Sequence, residues 1–218
     1  MFQLPLFLLN TVLLPGMPLP LYIFEERYKL MINDCLRQRT PFGVIMPAGR
    51  DPDVPGRVLP QRIGCTAQIT QVQRLEGGRM EILVIGQDRF QILELHGERP
   101  YLTATAELFP LTPTPAELLE QGGRGLRPLL ERYLQVMAEA SEVDLETYQL
   151  PDEPISLAYL AATLLQLPPE KKQPFLEMSD PVALLDMLRQ SYRQEIALLK
   201  RMLKHDGSAT DQGNFSKN

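Results

Sequence analysis

The sequence predicts an α+β protein: an antiparallel, barrel-like β-sheet carrying one helix, followed by an α-helical bundle. Three observations predict it. Up to about Phe109 the apolar residues mainly follow the two-residue period of strands, and beyond it the three-to-four-residue spacing of helices. The change falls at Thr112-Pro113-Thr114-Pro115, a proline-stiffened hinge. Glycine-bearing turns at Glu76-Gly77-Gly78-Arg79 and Gly86-Gln87-Asp88 separate the later strands of the first half. The expected organisation is therefore a sheet domain over 1–112, a helical domain over 113–204 and a disordered polar tail over 205–218.

The chain opens with an apolar run from Leu4 to Tyr28 whose first charged residue is Glu25. It lacks the basic start, unbroken apolar core and small-residue cleavage site of an export signal. Pro5, Pro15, Pro18 and Pro20 also forbid a membrane helix, since each removes a backbone donor and clashes with the preceding turn. Extended chain turning at Pro15-Gly16 fits this pattern, and without a signal segment the cytoplasm is the default expectation. Phe24, Tyr28, Met31, Ile32 and Cys35 then form a single apolar helical stripe. Glu25 and Glu26 occupy its first turn, where they complement the helix dipole, and with Arg27 and Lys29 they should be solvated.

A strand is expected from Pro41 to Met46, followed by a long loop to Arg57. Arg50, Arg57 and Arg62 could give that loop a modest basic rim. Ile63, Cys65, Ala67 and Ile69 alternate with polar partners, and the phase slip at Val72 and Leu75 predicts a bulge near Thr70. Met80 to Ile85 is apolar on both faces, as in a central strand, and Gly86-Gln87-Asp88 should turn the chain into Phe90–Leu95. Leu102, Ala104, Ala106 and Leu108 mark a last strand.

In the second half, Thr114 and Glu117 make a capping box with Pro115 at the first helical position. Gly122-Gly123 weakens that helix, and a second amphipathic run follows through Leu126, Leu130, Tyr133, Leu134 and Met137. Ile155–Leu167 is a nearly all-apolar helix stopped by Pro168-Pro169, the expected centre of this half. A short helix surrounds Phe175-Leu176, and Ser179-Asp180-Pro181 caps the last one. Leu185, Leu188, Tyr192, Ile196, Leu199 and Leu203 form its stripe, which could pack within the chain or on a partner; monomer and weak dimer both fit.

Composition narrows the function. The 218 residues are 44% hydrophobic and 22% charged, and the net charge is -5. A globular protein fits these values, and the acidic balance disfavours one devoted to gripping phosphate backbones. Cys35 and Cys65 lie on apolar faces and read as buried free thiols, with a disulfide or reactive thiol as the alternative. The sequence contains no phosphate loop, dinucleotide turn or nucleophile elbow, and its two histidines, His96 and His205, belong to no metal-spaced cluster. His96 reads as a solvated turn residue, and Asp51/Asp53 and Asp152/Glu153 as solvated loop charge. No catalytic residue, metal or cofactor is expected.

Five segments together resemble a known family. The opening Leu4-Pro5-Leu6-Phe7, Asn10-Thr11-Val12, Pro15-Gly16, Pro20-Leu21 and Ile23-Phe24-Glu25-Glu26-Arg27-Tyr28 is similar to the start of the Lon protease N-terminal, substrate-binding domain. Ile63–Ile69 looks like its G-x-x-A-x-I strand, and Val84–Phe90 is similar to its G-x-x-R-F/A turn. Lys172-Gln173 with Leu176-Glu177-Met178-Ser179-Asp180 is similar to its K-Q-x-x-L-E segment, and Glu195 with Leu198-Leu199 to its closing helix. The resemblance spans roughly Leu4 to Leu203 and implies a PUA-like pseudo-barrel followed by a helical bundle. With no counterpart of the ATPase or the Ser-Lys peptidase, the chain resembles a stand-alone Lon-domain protein, and protease activity does not carry over.

The function implied is a non-catalytic polypeptide-recognition or adaptor module in protein quality control. Its partners would be unfolded or client polypeptides, with a protease or chaperone as a further expected partner. The proline-rigid turn beside a helix start can hold groups at the surface at little ordering cost. It places the expected contact surface at Met17, Leu19, Phe24, Glu25, Glu26, Arg27 and Tyr28, the competing reading being core for the apolar four and a solvated face for the charged three. Two other functions are weighed against it: RNA binding, as other PUA-like barrels do, and a small-molecule enzyme using a cleft between the halves.

Overall fold

The fold was derived from a computed structural model, which describes residues 1–50, 58–141 and 150–210. The chain divides into two compact units. Met1–Thr112 and Ala162–Ser179 form the first; Pro113–Ala161 and the segment from Asp180 onward form the second.

The first unit contains β1 (Phe2–Leu8), β2 (Pro18–Ile23), α1 (Glu26–Gln38), β3 (Phe42–Ile45), β4 (Pro47–Arg50), β5 (Val58–Pro60), β6 (Ile63–Arg74), β7 (Met80–His96) and β8 (Thr103–Leu108). The sheet order is β2-β7-β6-β3-β1-β8, and β7 also pairs with β8. Strands β7, β6, β3, β1 and β8 thus close into a ring, the pseudo-barrel, with β2 laid on the first half of β7. All pairings are antiparallel except β1–β3, a parallel pair whose crossover is β2 and α1.

The interior of the ring is apolar: Leu4, Leu6, Ile45, Phe90, Ile92, Ala104 and Ala106 form one cluster. Phe90 sets its geometry. A side chain on Gly43 or on Gly64 would stand 2.6 Å from Cζ of Phe90, so those two glycines leave the room that its ring fills. The phase slip read near Thr70 is a register shift between Ile69 and Gln71. The hairpin at Glu76–Gly78 is a short 3-10 turn with Gly77 and Gly78 at φ 68° and 69°.

Three expectations about this unit need correction. Gly86-Gln87-Asp88 is not a turn: β7 runs unbroken for 17 residues, pairing with β2 in its first part and β8 in its second. The loop after Met46 contains a two-stranded sheet, β4–β5; residues 51–57, with Asp51, Asp53 and Arg57, lie outside the described residues. Phe24 does not belong to the buried stripe of α1, which is Tyr28, Met31, Ile32 and Cys35, because it precedes the first helical turn.

α4 (Pro169–Glu177) completes the first unit. Its attachment explains the segments that carry the resemblance. Arg89 is 4% exposed, and its Nη1 donates to the carbonyls of Leu176 (2.9 Å) and Met178 (2.5 Å) at the C-terminal end of α4, where helical carbonyls lack partners. Gln173 donates to the Ile63 carbonyl (3.1 Å) and to Glu177 (2.9 Å). Lys172 donates to the Thr163 carbonyl (2.9 Å), and burial pulls its pKa down. The Thr66 hydroxyl bonds both the N–H and the carbonyl of Asp88, tying β6 to β7. These hydrogen bonds tie α4, β6 and β7 together within the first unit.

The second unit is built from α2 (Ala116–Ser141), the start of α3 (Pro154–Leu164) and α5 (Pro181–Thr210). The two runs expected before Met137 are one continuous helix. Its glycines are packing residues: a side chain on Gly122 would lie 2.6 Å from Cδ1 of Leu185, and one on Gly123 3.2 Å from Pro154. Leu126, Leu130, Tyr133, Leu157, Leu185, Leu188 and Tyr192 are buried, Tyr133 and Tyr192 meeting edge to face at 5.2 Å. Asp180 caps α5 through the N–H groups of Val182 and Ala183, and Glu153 caps α3 through those of Ile155 and Ser156. Asp152 and Glu153 are both exposed, as expected, though Asp152 also pairs with Arg127 at 3.1 Å and Glu153 serves as the cap. The tail expected from His205 falls on the last turns of α5 and on residues 211–218, which lie outside the described residues.

Candidate polypeptide-binding surface

β2 carries the sequence Pro-Leu-Pro-Leu-Tyr-Ile, and the strand period divides it into two faces. Leu21 and Ile23 point into the core, with Leu19 half-buried, while Pro18, Pro20 and Tyr22 are exposed. Tyr22 is 46% exposed and Phe24 59%, and their rings stack with centroids 6.0 Å apart. Two mutually stacked aromatic rings thus stand on open surface. Arg79 donates to the Tyr22 hydroxyl (3.0 Å) and to the Glu76 carbonyl (3.0 Å), which fixes the outer end of the tyrosine.

Beside them the outer faces of β2, β7 and β6 form an open groove of about 660 Å³. Pro20, Tyr22, Gln71, Val72, Glu81 and Leu83 line it. Register explains the grouping: Pro20 stands opposite Leu83 and Tyr22 opposite Glu81, while Leu83 in turn pairs with Gln71.

The seven expected residues separate on this frame. Met17 and Leu19 are half-buried at the entry to β2, Phe24 is open, and Glu25, Glu26 and Arg27 lie at the start of α1. Glu25 is the N-cap residue, and Arg27 pairs with it at 2.8 Å. Tyr28 is buried and belongs to the core: its ring stacks on Phe7 at 4.0 Å, and the Arg27 guanidinium lies 4.5 Å from its centroid. Burial raises the Tyr28 pKa, Arg27 lowers it and Glu25 adds to the rise. Lys29, read as solvated, is largely covered, because its ammonium donates to the Gly77 carbonyl (2.8 Å) and to Glu26 (2.7 Å). Sequence reasoning missed Tyr22 and Val72. Tyr22 could have been found, since the alternation of β2 puts it on the same face as the two exposed prolines.

A second groove of about 610 Å³ opens where β1 and β8 meet, lined by Phe2, Gln3, Thr40, His96, Arg99 and Thr103 among others. His96 is not a solvated turn residue. It is half-buried at the end of β7, and its Nε2 shares the Thr105 hydroxyl (2.8 Å) with Gln3 (2.9 Å). Cys35 and Cys65 are buried and free, and burial pushes their thiols up to about 11 and about 12. Among the described residues there is no cluster of three or more metal-ligating side chains. No helix is long and apolar enough to cross a membrane among those residues.

Residues 3–191 match the family model described as the ATP-dependent protease La (LON) substrate-binding domain. The chain belongs to this family. As a Lon substrate-binding domain it is similar to Lon protease 2 of Myxococcus xanthus, 27% identical over 209 residues, covering 95% of this chain and 25% of that protein. It is 30% identical over 206 residues to the Lon protease of Roseiflexus castenholzii, covering 88% of this chain and 23% of that one. The Lon domain described here thus spans about a quarter of the curated relatives it matches. Two solved structures share its fold. The N-terminal domain of a Mycobacterium avium complex Lon protease superposes with a TM-score of 0.65 at 20% identity, over 88% of this chain and 98% of that one. A Lon N-terminal domain protein from Xanthomonas campestris gives 0.61 at 24% identity, over 86% and 97%. The expected α+β, PUA-like fold agrees with these neighbours.

Proposed function

We propose that this Lon domain recognises polypeptide segments on the surface formed by β2 and the first turn of α1, and that it performs neither ATP hydrolysis nor peptide-bond cleavage itself. The stacked, exposed Tyr22–Phe24 pair carries the placement. Aromatic side chains give a large apolar contact area with few rotamers to freeze, which suits a surface that must accept many sequences. Met17 and Leu19, both half-buried, precede the pair along the chain, and Glu25, Glu26 and Arg27 form a polar rim at the helix start. The family's role, substrate binding, supports a recognition module, and the match covers that domain alone. Clients would be unfolded chains, with a protease or chaperone acting on what the domain holds.

The test is fluorescence anisotropy with labelled, reduced and carboxymethylated lactalbumin, which stays unfolded. Burying one exposed phenyl ring is worth about 1.5–3 kcal/mol, so Phe24→Ser should weaken binding by roughly tenfold or more. Its melting temperature should stay unchanged, because the ring lies outside the core. Equal binding by wild type, Phe24→Ser and Arg27→Glu would remove the proposal.

A further inference from the structure

β2 is the edge strand of the sheet, paired only with β7 among the described residues, and an unpaired edge is the ordinary template for adding a partner's strand. Its backbone is unsuited to that role. Met17 accepts a bond from the Gly86 N–H (3.0 Å), and the register from Pro18–Ile85 to Ile23–Met80 is unbroken. Because inward- and outward-pointing peptide groups alternate along an antiparallel strand, positions 19, 21 and 23 face β7 while 18, 20 and 22 face outward. Two of the three outward positions, Pro18 and Pro20, are prolines with no N–H. The free edge therefore offers the carbonyls of Pro18, Pro20 and Tyr22 but only the N–H of Tyr22. A strand laid beside it would need a donor and an acceptor at each facing position, and its own carbonyls opposite the prolines would lose water without gaining a partner.

We propose that Pro18 and Pro20 are specificity-determining residues that exclude strand-adding partners, so that the occupant of this surface is an unfolded polypeptide held by its side chains across Tyr22, Phe24 and the Pro20–Leu83 groove. This deepens the recognition reading and rests on it. The same edge also prevents two copies of the chain from pairing through β2. Recognition by side chains alone leaves the client's backbone free and its sequence register unspecified.

The experiment uses a labelled synthetic decapeptide with Phe and Leu at alternate positions. Two copies carry N-methyl groups on every second backbone nitrogen, along one edge or along the other. All three are expected to bind within about threefold of one another, and Tyr22→Ser/Phe24→Ser should weaken each by about tenfold. In the Pro18→Val/Pro20→Val variant, which restores two outward donors, the unmethylated peptide should bind several-fold tighter than the copy methylated along the edge that meets β2. The inference is overturned if a methylated copy loses tenfold or more on the wild-type protein while the parent binds through Tyr22 and Phe24; polypeptide recognition would then survive with a different geometry. It is likewise overturned if the proline double variant shows no preference for the parent. A parent peptide that does not bind, or that ignores Tyr22→Ser/Phe24→Ser, removes both the inference and the reading beneath it.

Discussion

Gly86→Ala is the substitution on which the architecture of the first unit can be judged most directly. A methyl group on Gly86 would lie 2.2 Å from the Leu14 carbonyl oxygen, 3.0 Å from its carbon and 3.1 Å from Cγ of Leu13. The obstacle is backbone and cannot be relieved by a rotamer change, so the 13–17 segment must retreat by about 1 Å to restore van der Waals contact. That retreat stretches the bonds that hold the segment to β7, Gly16 N–H to Gly86 O (2.9 Å) and Gly86 N–H to Met17 O (3.0 Å). Each is worth about 1 kcal/mol, and overpacking adds about 1–3 kcal/mol, giving about 3–5 kcal/mol in all. Leu13 and Leu14 are fully buried, so the strain cannot be moved into solvent. Urea unfolding followed by far-UV circular dichroism should show a lower midpoint at an unchanged slope. Gly97→Ala is the control, since nothing lies within 4 Å of its methyl position, and it should change stability by less than about 0.5 kcal/mol. A Gly86→Ala loss below about 1 kcal/mol would refute the close approach of β7 to Leu14.

Three further outcomes are expected. Arg89→Ala leaves the carbonyls of Leu176 and Met178 without their donor and should cost about 2–5 kcal/mol by urea unfolding; Arg89→Lys should recover only part of this, lacking the planar fork. Burial would raise the Glu153 pKa, but the hydrogen bonds from Ile155 and Ser156 outweigh it and hold the carboxyl below its ordinary range. A depressed folded pKa contributes stability that is fully present above the unfolded carboxylate range and is lost as pH falls through the folded value. Wild type should therefore lose a stabilisation that Glu153→Gln does not have to lose, and a difference between them of about 1 kcal/mol at pH 7 should shrink toward pH 3. Cys35 and Cys65, with thiols pushed up to about 11 and about 12 by burial, should resist a thiol-specific disulfide reagent at pH 8 in the folded protein. Both should react when the chain is unfolded in guanidinium, and rapid labelling of the native protein would contradict their burial.

Periodicity made much of the fold legible. The stripe of Met31, Ile32 and Cys35, the strand from Ile63 with its slip near Thr70, and the cap at Asp180 depend on neighbours within a few residues, where local chemistry dominates. Where meaning depended on a distant partner, local reading failed. Gly86 looked like a turn because glycine is a turn residue, yet it sits inside a 17-residue strand to admit Leu14. Gly122 and Gly123 looked like a weak point in a helix, yet they make room for Leu185 and Pro154. The candidate surface was half legible: Phe24 was singled out, Tyr22 was passed over and Tyr28 proved to be core. The alternation of β2 puts Tyr22 on the face of Pro18 and Pro20, but its meeting with the Phe24 ring there depends on the fold.

By itself the sequence determined the α+β class, a first helix carrying Tyr28, Met31, Ile32 and Cys35, the change of period near Phe109 and the family, because these are written in residue types at fixed short spacings. Only the tertiary structure decided that β1 and β3 run parallel, that Ala162–Ser179 belongs with the barrel through Arg89 and Gln173, and that Tyr22 and Phe24 meet on an open face beside a donor-poor edge. The physical reason is range: backbone propensity and amphipathic period act over a turn or a strand. Hydrogen bonds such as Arg89 to Leu176 join residues 87 positions apart, and no local pattern encodes such a partner.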